Sequence, residues 1–427
     1  MGMDGLTREL QAIVDDPALP LAGLAAVAIR DGAVVYQHAF GYKRLPSSTT
    51  PKAYPIRLDG ETMFRIASIS KLVSTLGVMT LIEQGVLDLD ADLGRYLGYS
   101  LRHPRFPDRP LTLRMLLTHR SSLCDAAGLR WGPEVDLRAV LLPGGHHFGT
   151  GAIWAPQEPG SWFAYANVSW GVLATVLEAA TGKRFDRLMR RLVFDPLGLK
   201  AGFYLGDFAP ARLDDVATLY RRREKDGAER WDPQGPWIAQ IDDFGAAPPA
   251  APPGLDDYVP GTNGTLFGPQ GGLRISAAEL ARIMLMLMNG GRDGELQLLQ
   301  PATVDLMFSR QWTFNGRNGT GDSDTFRGLH HAWGLGNQHF LDVSGSAGGR
   351  ACGDRLVAGG GFTGVGHLGW AWGLNALFVF DRARRDGLIW VSSGVGADPD
   401  TCPGCYSSNA RFQERITDAL YRQVLAP

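Results

Sequence analysis

"FRIASISKLVSTLGVMTLIEQG", Phe64–Gly85, decides the fold. Leu72, Leu76, Val78, Met79, Leu81 and Ile82 recur at helical spacing and predict a buried helix. Ser68 stands at its start, and Lys71 lies in its first turn. One reading is a capping serine with a lysine snorkelling to solvent. The other is a nucleophile with its base, because residues three apart share a helix face. A serine there also presents its backbone N–H at the positive end of the helix dipole, where an oxyanion is favoured. Lysine is scarce, with six in 427 residues, against 19 serines. Ser-x-x-Lys is therefore expected by chance roughly 0.3 times, so the rest of the chain must choose between the readings.

The chain is long enough for a large core in two or three layers. Its formal net charge of −2 gives no electrostatic case for nucleic acid or an anionic membrane. No apolar run reaches the length of a membrane span. The N-terminus, "MGMDGLTRELQAIVDDPALP", has neither a basic n-region nor an apolar h-region. The expected location is therefore cytoplasmic, with export of a longer precursor left open. Four cysteines, Cys124, Cys352, Cys402 and Cys405, are too few for a disulfide scaffold. The pair in "TCPGCYSS" reads as a structural loop, since zinc would need two further ligands.

"LAAVAIRDGAVVYQHAFGY" (Leu24–Tyr42) alternates around an Arg-Asp-Gly turn and predicts a β-hairpin. "LNALFVFDRARRDGLIWVSSG" (Leu374–Gly394) predicts a second, and "NARFQERITDALYRQVL" an amphipathic closing helix. Helical patterns cover Leu113–His119, Val168–Thr181 and Ala277–Met288. A Gly/Pro-rich segment occupies Gly245–Gly264. Strands at both ends with helices between predict an α/β (α+β) fold. Its antiparallel sheet is built from both chain ends and flanked by helices, with a mostly helical inserted subdomain. The expected division is one catalytic domain, its α/β part about 1–75 and 275–427 and its helical part about 76–274.

The hydrolase elbow Gly-x-Ser-x-Gly is absent, as are His-Glu-x-x-His and a Walker loop. "GVGHLG" (Gly364–Gly369) fits a dinucleotide fingerprint only on paper, because strand rather than helix follows it. Two other elements could serve a Ser–Lys pair. Tyr165-Ala166-Asn167 precedes a helix, so Asn167 could be its cap, or Tyr165 could relay the serine proton while Asn167 holds Lys71 or a substrate carbonyl. His367, in "GHLGWAWGLNALFVFD", is either a turn residue or a donor near the serine. The backbone N–H of Trp370 would then be the second oxyanion donor.

In this order, Ser68-x-x-Lys71, Tyr165-x-Asn167 and His367-x-Gly369 resemble the motifs of the serine β-lactamase and penicillin-binding-protein superfamily, in particular its class C branch. "LTLRMLLTHRSSL" (Leu111–Leu123) and "LLQPATVDLM" look like its connecting segments. The resemblance implies the β-lactamase/transpeptidase-like fold and an acyl-enzyme mechanism. Ser68, Lys71 and Tyr165 would be catalytic, with Asn167, His367, Gly369 and Trp370 binding substrate or oxyanion. No metal or cofactor is implied.

The third motif departs from the β-lactamase pattern. No lysine follows Lys225, and Leu368 stands where a hydroxyl helps hold a substrate carboxylate. A lost charge-assisted bond of roughly 1.5–3 kcal/mol is ten- to hundredfold in affinity. With an expected aromatic rim of Trp162, Phe163, Trp370 and Trp372, this favours small uncharged acyl esters, as in family VIII carboxylesterases. An arginine from a distant loop is the remaining source of an anchor, the chain having 36. The alternatives are a D-amino-acid amidase or peptidase, a β-lactamase, an acyltransferase, and a peptide-binding pseudoenzyme. The partner in each enzyme reading is a small ester or amide.

Overall fold

The computed structural model describes residues 3–46, 54–223, 230–244, 249–316 and 326–426. A nine-stranded sheet runs, edge to edge, through Trp312–Thr313, Ala332–Trp333, Gln338–Phe340, Gly364–Ala371, Leu374–Asp381, Asp386–Ser392, Gly23–Arg30, Ala33–Arg44 and Ile56–Arg57. Every neighbouring pair is antiparallel. The two ends of the chain meet at its centre, where Val27 pairs with Ile389. The first hairpin turns on Asp31 (φ 51°) and Gly32 (φ 77°), the two positive φ values that match a tight turn to the strand twist.

Side-chain alternation splits the core into two layers. Ala25, Val27, Ile29, Phe378, Phe380, Ile389 and Val391 face one cluster, which holds the helices Ile69–Glu83 and Ala277–Met288. Leu24, Ala26, Ala28, Leu377, Val379, Leu388 and Trp390 face the other, under Met3–Val14 and Arg411–Leu420. With both faces covered, the central strands Gly23–Arg30, Leu374–Asp381 and Asp386–Ser392 read as near-continuous apolar runs. The helix Met3–Val14 had no counterpart in the sequence reading; Leu6, Leu10, Ile13 and Val14 bury its apolar stripe against the closing helix.

The helix Ala277–Met288 begins with a full capping box, Ser276 with Glu279. Between the two ends of the chain, Val168–Thr181 is a buried helix, and the helix at Leu113 ends at Leu117. That region also holds strands: Leu219–Arg222 and Trp237–Ile241 pair with each other, and the first takes Gly394–Val395 in parallel. Of the Gly/Pro-rich segment, residues 245–248 lie outside the described residues. Among the described residues, no helix is long and apolar enough to cross a membrane.

Candidate active site

Ser68 is the residue before the helix Ile69–Glu83, in helical backbone geometry, and its side chain makes no cap hydrogen bond. The capping reading therefore fails. Among the described residues its backbone N–H has no acceptor, so it is open at the positive end of the dipole. Ala67, immediately before, is held at φ 49°, a strained value for alanine that turns the chain from strand into helix.

Lys71 does not snorkel: it is fully buried. Its Nζ lies 3.0 Å from Ser68 Oγ, 2.8 Å from Asn167 Oδ1 and 3.2 Å from the Gln270 carbonyl. Removal from water brings its pKa down to about 7, with the Asp125 carboxylate acting in the opposite direction. The two carbonyl oxygens can only accept. A neutral amine gives them its two N–H groups and keeps its lone pair for the Ser68 O–H.

The Tyr165 ring lies 4.7 Å beneath Lys71 Nζ. It stacks on His119 (centroids 4.3 Å apart) and on His330 (5.3 Å). Burial pushes the phenol well above its ordinary range, while a hydrogen bond with Ser68 works the other way. Near neutral pH the phenol therefore keeps its proton, whereas Lys71 is partly neutral.

Asn167 does not cap the helix Val168–Thr181 with its side chain. Asp125 does so from 42 residues upstream, accepting from the backbone N–H of Asn167 (3.0 Å) and Val168 (2.9 Å). Asp125 also accepts from Asn167 Nδ2 at 2.8 Å, which turns Oδ1 toward Lys71.

The strand Gly364–Ala371 crosses against Ile66. A Cβ on Gly369 would sit 2.5 Å from the Ile66 carbonyl oxygen, so only glycine permits this approach. The turn at Trp372 (φ 52°) and Gly373 (φ 85°) is a two-residue hairpin turn, which makes Ala371 and Leu374 an exchanged hydrogen-bonded pair. The amides of His367 and Gly369 therefore point into the sheet, and those of Leu368 and Trp370 point to the other edge. That edge is covered by Gln338–Phe340 only as far as Gly366, which leaves the Trp370 N–H on open edge.

His367 is buried, and its Nδ1 lies 2.6 Å from the Leu368 carbonyl, which can only accept. Nδ1 therefore carries the proton, and Nε2 is a buried acceptor without a partner among the described residues. Burial and the nearby Lys71 bring the pKa of His367 down to about 3. The donor role expected for this residue is corrected: as a neutral imidazole it offers an acceptor.

Two further expectations about this strand are corrected by its alternation. Leu368 pairs with Leu377 and packs into the cluster on the far face, so it does not line the serine side. The Trp370 side chain shares that far face and is 55% exposed. Phe163 is no rim residue either. It is fully buried, stacked 4.0 Å from Trp312 with the planes only 10° apart.

Sequence reasoning gave no role to Asp125, His119 or His330, and none to Arg65. His119 lay within a quoted segment, and its Nδ1 accepts the Ala166 N–H at 3.0 Å. The four cysteines are free. The Cys402–Cys405 loop wraps Glu414, whose carboxylate accepts the N–H groups of Cys405, Tyr406 and Ser407.

A half-buried serine with a buried lysine at a helix start, beside an open sheet edge and a tyrosine, is the arrangement of a candidate serine acyl-transfer site. The family described as "Beta-lactamase" matches residues 8–404, and the chain belongs to it. It thereby falls in the β-lactamase and penicillin-binding-protein superfamily of serine hydrolases. Over 199 residues it is 27% identical to penicillin-binding protein 4* of Bacillus subtilis, covering 45% of this chain and 41% of that protein. Over 315 residues it is 25% identical to a putative D-alanyl-D-alanine carboxypeptidase of Salmonella enteritidis, covering 68% of each. Two solved structures share the fold. The octameric penicillin-binding protein homologue from Pyrococcus abyssi superposes with TM-score 0.62 at 19% identity, covering 100% of this chain and 77% of that one. The D-amino acid amidase from Ochrobactrum anthropi SV3 gives 0.61 at 18%, covering 98% and 99%.

Proposed function

We propose that the chain hydrolyses carboxylic esters through an acyl-enzyme on Ser68. The observation that carries this reading is the contact of Lys71 Nζ, its pKa brought down to about 7, with Ser68 Oγ at 3.0 Å. In the first step Ser68 Oγ bonds to the acyl carbon and its proton passes to Lys71 Nζ. The backbone N–H groups of Ser68 and Trp370 receive the oxyanion. The C–O bond of the ester then breaks, and the leaving alcohol takes the proton by way of the Tyr165 hydroxyl. In the second step Lys71 takes a proton from water as that water bonds to the acyl carbon; the bond from the acyl carbon to Ser68 Oγ then breaks, Lys71 returns the proton to Ser68 Oγ, and the acid leaves. Asn167 holds Lys71 in place throughout, and Gly369 lets the strand lie close enough to supply its amide.

An ester is favoured over a β-lactam or a D-Ala-D-Ala peptide because no cation stands at the third motif. His367 is neutral there, so the leaving-group end offers no partner to a carboxylate. A second reading, amide hydrolysis, draws on the carboxypeptidase and D-amino acid amidase among the similar proteins. A panel of p-nitrophenyl acyl esters, D-amino-acid amides and nitrocefin separates the two. The ester reading requires the highest kcat/KM on a short acyl ester and loss of all turnover in Ser68→Ala. A higher value on an amide or β-lactam overturns it.

A further inference from the structure

The stretch that carries Ser68 also carries Arg65, three residues earlier and only partly exposed. Its Nε donates to the Gly271 carbonyl at 3.2 Å. Its guanidinium lies 4.1 Å over the ring of Trp372, just past the strand Gly364–Ala371. Among the described residues, no carboxylate pairs with it and no other side-chain hydrogen bond engages it. Gly271 directly follows Gln270, whose carbonyl accepts from Lys71. The guanidinium and the amine thus hang from consecutive peptide units of one loop.

The charges around Arg65 are mostly of its own sign. Arg274 is nearby but neutralised by Asp242, 2.6 Å away. Arg130 is also nearby, exposed, and without an acidic partner among the described residues. Burial, with Arg274 and Arg130 and against the opposing Asp242 carboxylate, brings the pKa of Arg65 down to about 9, so it remains cationic at neutral pH. A desolvated guanidinium without a counter-ion costs stability, and its planar fork suits a carboxylate. The contact with the Trp372 ring holds the guanidinium in place in advance.

Direction along the strand decides which part of a substrate would reach this cation. Tyr165, which passes the proton to the leaving group, sits by His367, with ring centroids 6.3 Å apart. Arg65 sits by Trp372, at the other end of the strand's open edge. The two arms of the substrate diverge from the acyl carbon between them.

We infer that Arg65, with Arg130 at its mouth, is an anion subsite for the acyl arm, so that the preferred substrate is an ester whose acyl chain carries a terminal carboxylate. This rests on the esterase reading above and refines it: the leaving-group end stays uncharged and the acyl end is anchored.

The test compares the mono-4-nitrophenyl ester of adipic acid with 4-nitrophenyl hexanoate, of equal chain length, as the ratio of their kcat/KM values. In the wild-type protein the ratio exceeds one and falls when salt is raised to about 0.5 M, because the added ions screen the pair. It drops at least about tenfold in Arg65→Gln, the scale of a charge-assisted bond, and about threefold in Arg130→Gln. Arg130 is exposed, so its variant and the salt response decide the matter if Arg65→Gln does not fold. A ratio unchanged by salt and by Arg130→Gln overturns the subsite. If both esters are still cleaved through Ser68, the esterase reading survives that result. If neither is cleaved, the esterase reading itself fails.

Discussion

Asp125 holds Asn167 by both its backbone N–H and its side-chain Nδ2, at 3.0 and 2.8 Å, and so aims Asn167 Oδ1 at Lys71. The contact settles the amide's orientation, since a carboxylate can accept only from the nitrogen. Asp125 also favours the charged form of Lys71. Asp125→Asn should therefore act in two ways. Loss of positioning lowers kcat by about tenfold, in the range of a charge-assisted hydrogen bond. Loss of the negative charge moves the acid limb of the rate profile to lower pH. A kcat–pH series on the variant checks both, and an acid limb displaced upward would contradict the second.

Lys71→Arg keeps a cation but removes a group able to lose its proton near pH 7. Turnover of p-nitrophenyl butyrate should fall at least about a hundredfold, in line with general-base contributions. Near-native activity would reduce Lys71 to an electrostatic role. Tyr165→Phe should cost about ten- to a hundredfold while leaving the acid limb in place, because the phenol is not the group that titrates there.

Lys71 also links stability to pH. Its folded-state pKa of about 7 lies below the unfolded value near 10.5, so between these limits the unfolded chain binds more protons. Stability contributed by this group rises from pH 7 toward 10 and is smallest below pH 7. At 1.36 kcal/mol per unit, holding Lys71 in its buried site costs on the order of 4 kcal/mol at pH 7. Lys71→Met should be inactive yet unfold at a higher denaturant concentration than the wild type at pH 7, with the gap closing by pH 10. Chemical denaturation at the two pH values measures this.

Much of the fold is legible because its signals are local. The Asp31-Gly32 turn, the apolar run of Leu374–Asp381 and the helical pattern of Ala277–Met288 each announce themselves within about a dozen residues. The helix Met3–Val14 is polar enough to pass as a tail until its stripe meets the closing helix. The site divides in the same way. Ser68 and Lys71 are one helical turn apart and can be paired on paper, whereas Asp125 reaches Asn167 across 42 residues and nothing at either position marks the contact. His119 and His330 flank Tyr165 from opposite directions in the chain. The face on which Leu368 lies follows only from the strand register, which the turn at Trp372-Gly373 sets.

His119 has a testable part in this. It is fully desolvated, its pKa is held well below the ordinary histidine value by burial and by Lys71, and its Nδ1 takes the Ala166 N–H. His119→Phe keeps a ring under Tyr165 but leaves that N–H buried without an acceptor, at a cost of roughly 1–3 kcal/mol in stability. Thermal unfolding should show the loss, and kcat should fall more than KM changes. A variant with wild-type stability would mean that the N–H finds another acceptor.

In the proposed mechanism Ser68 is a nucleophile switched on by a neutral Lys71. The pH dependence of fluorophosphonate labelling, read by mass spectrometry of the modified peptide, tests it most directly. A single adduct on Ser68 is expected, with a rate that rises through about pH 7 to a plateau as Lys71 loses its proton. An adduct on any other residue, or a Ser68 labelling rate that does not change between pH 5 and 9, would contradict it.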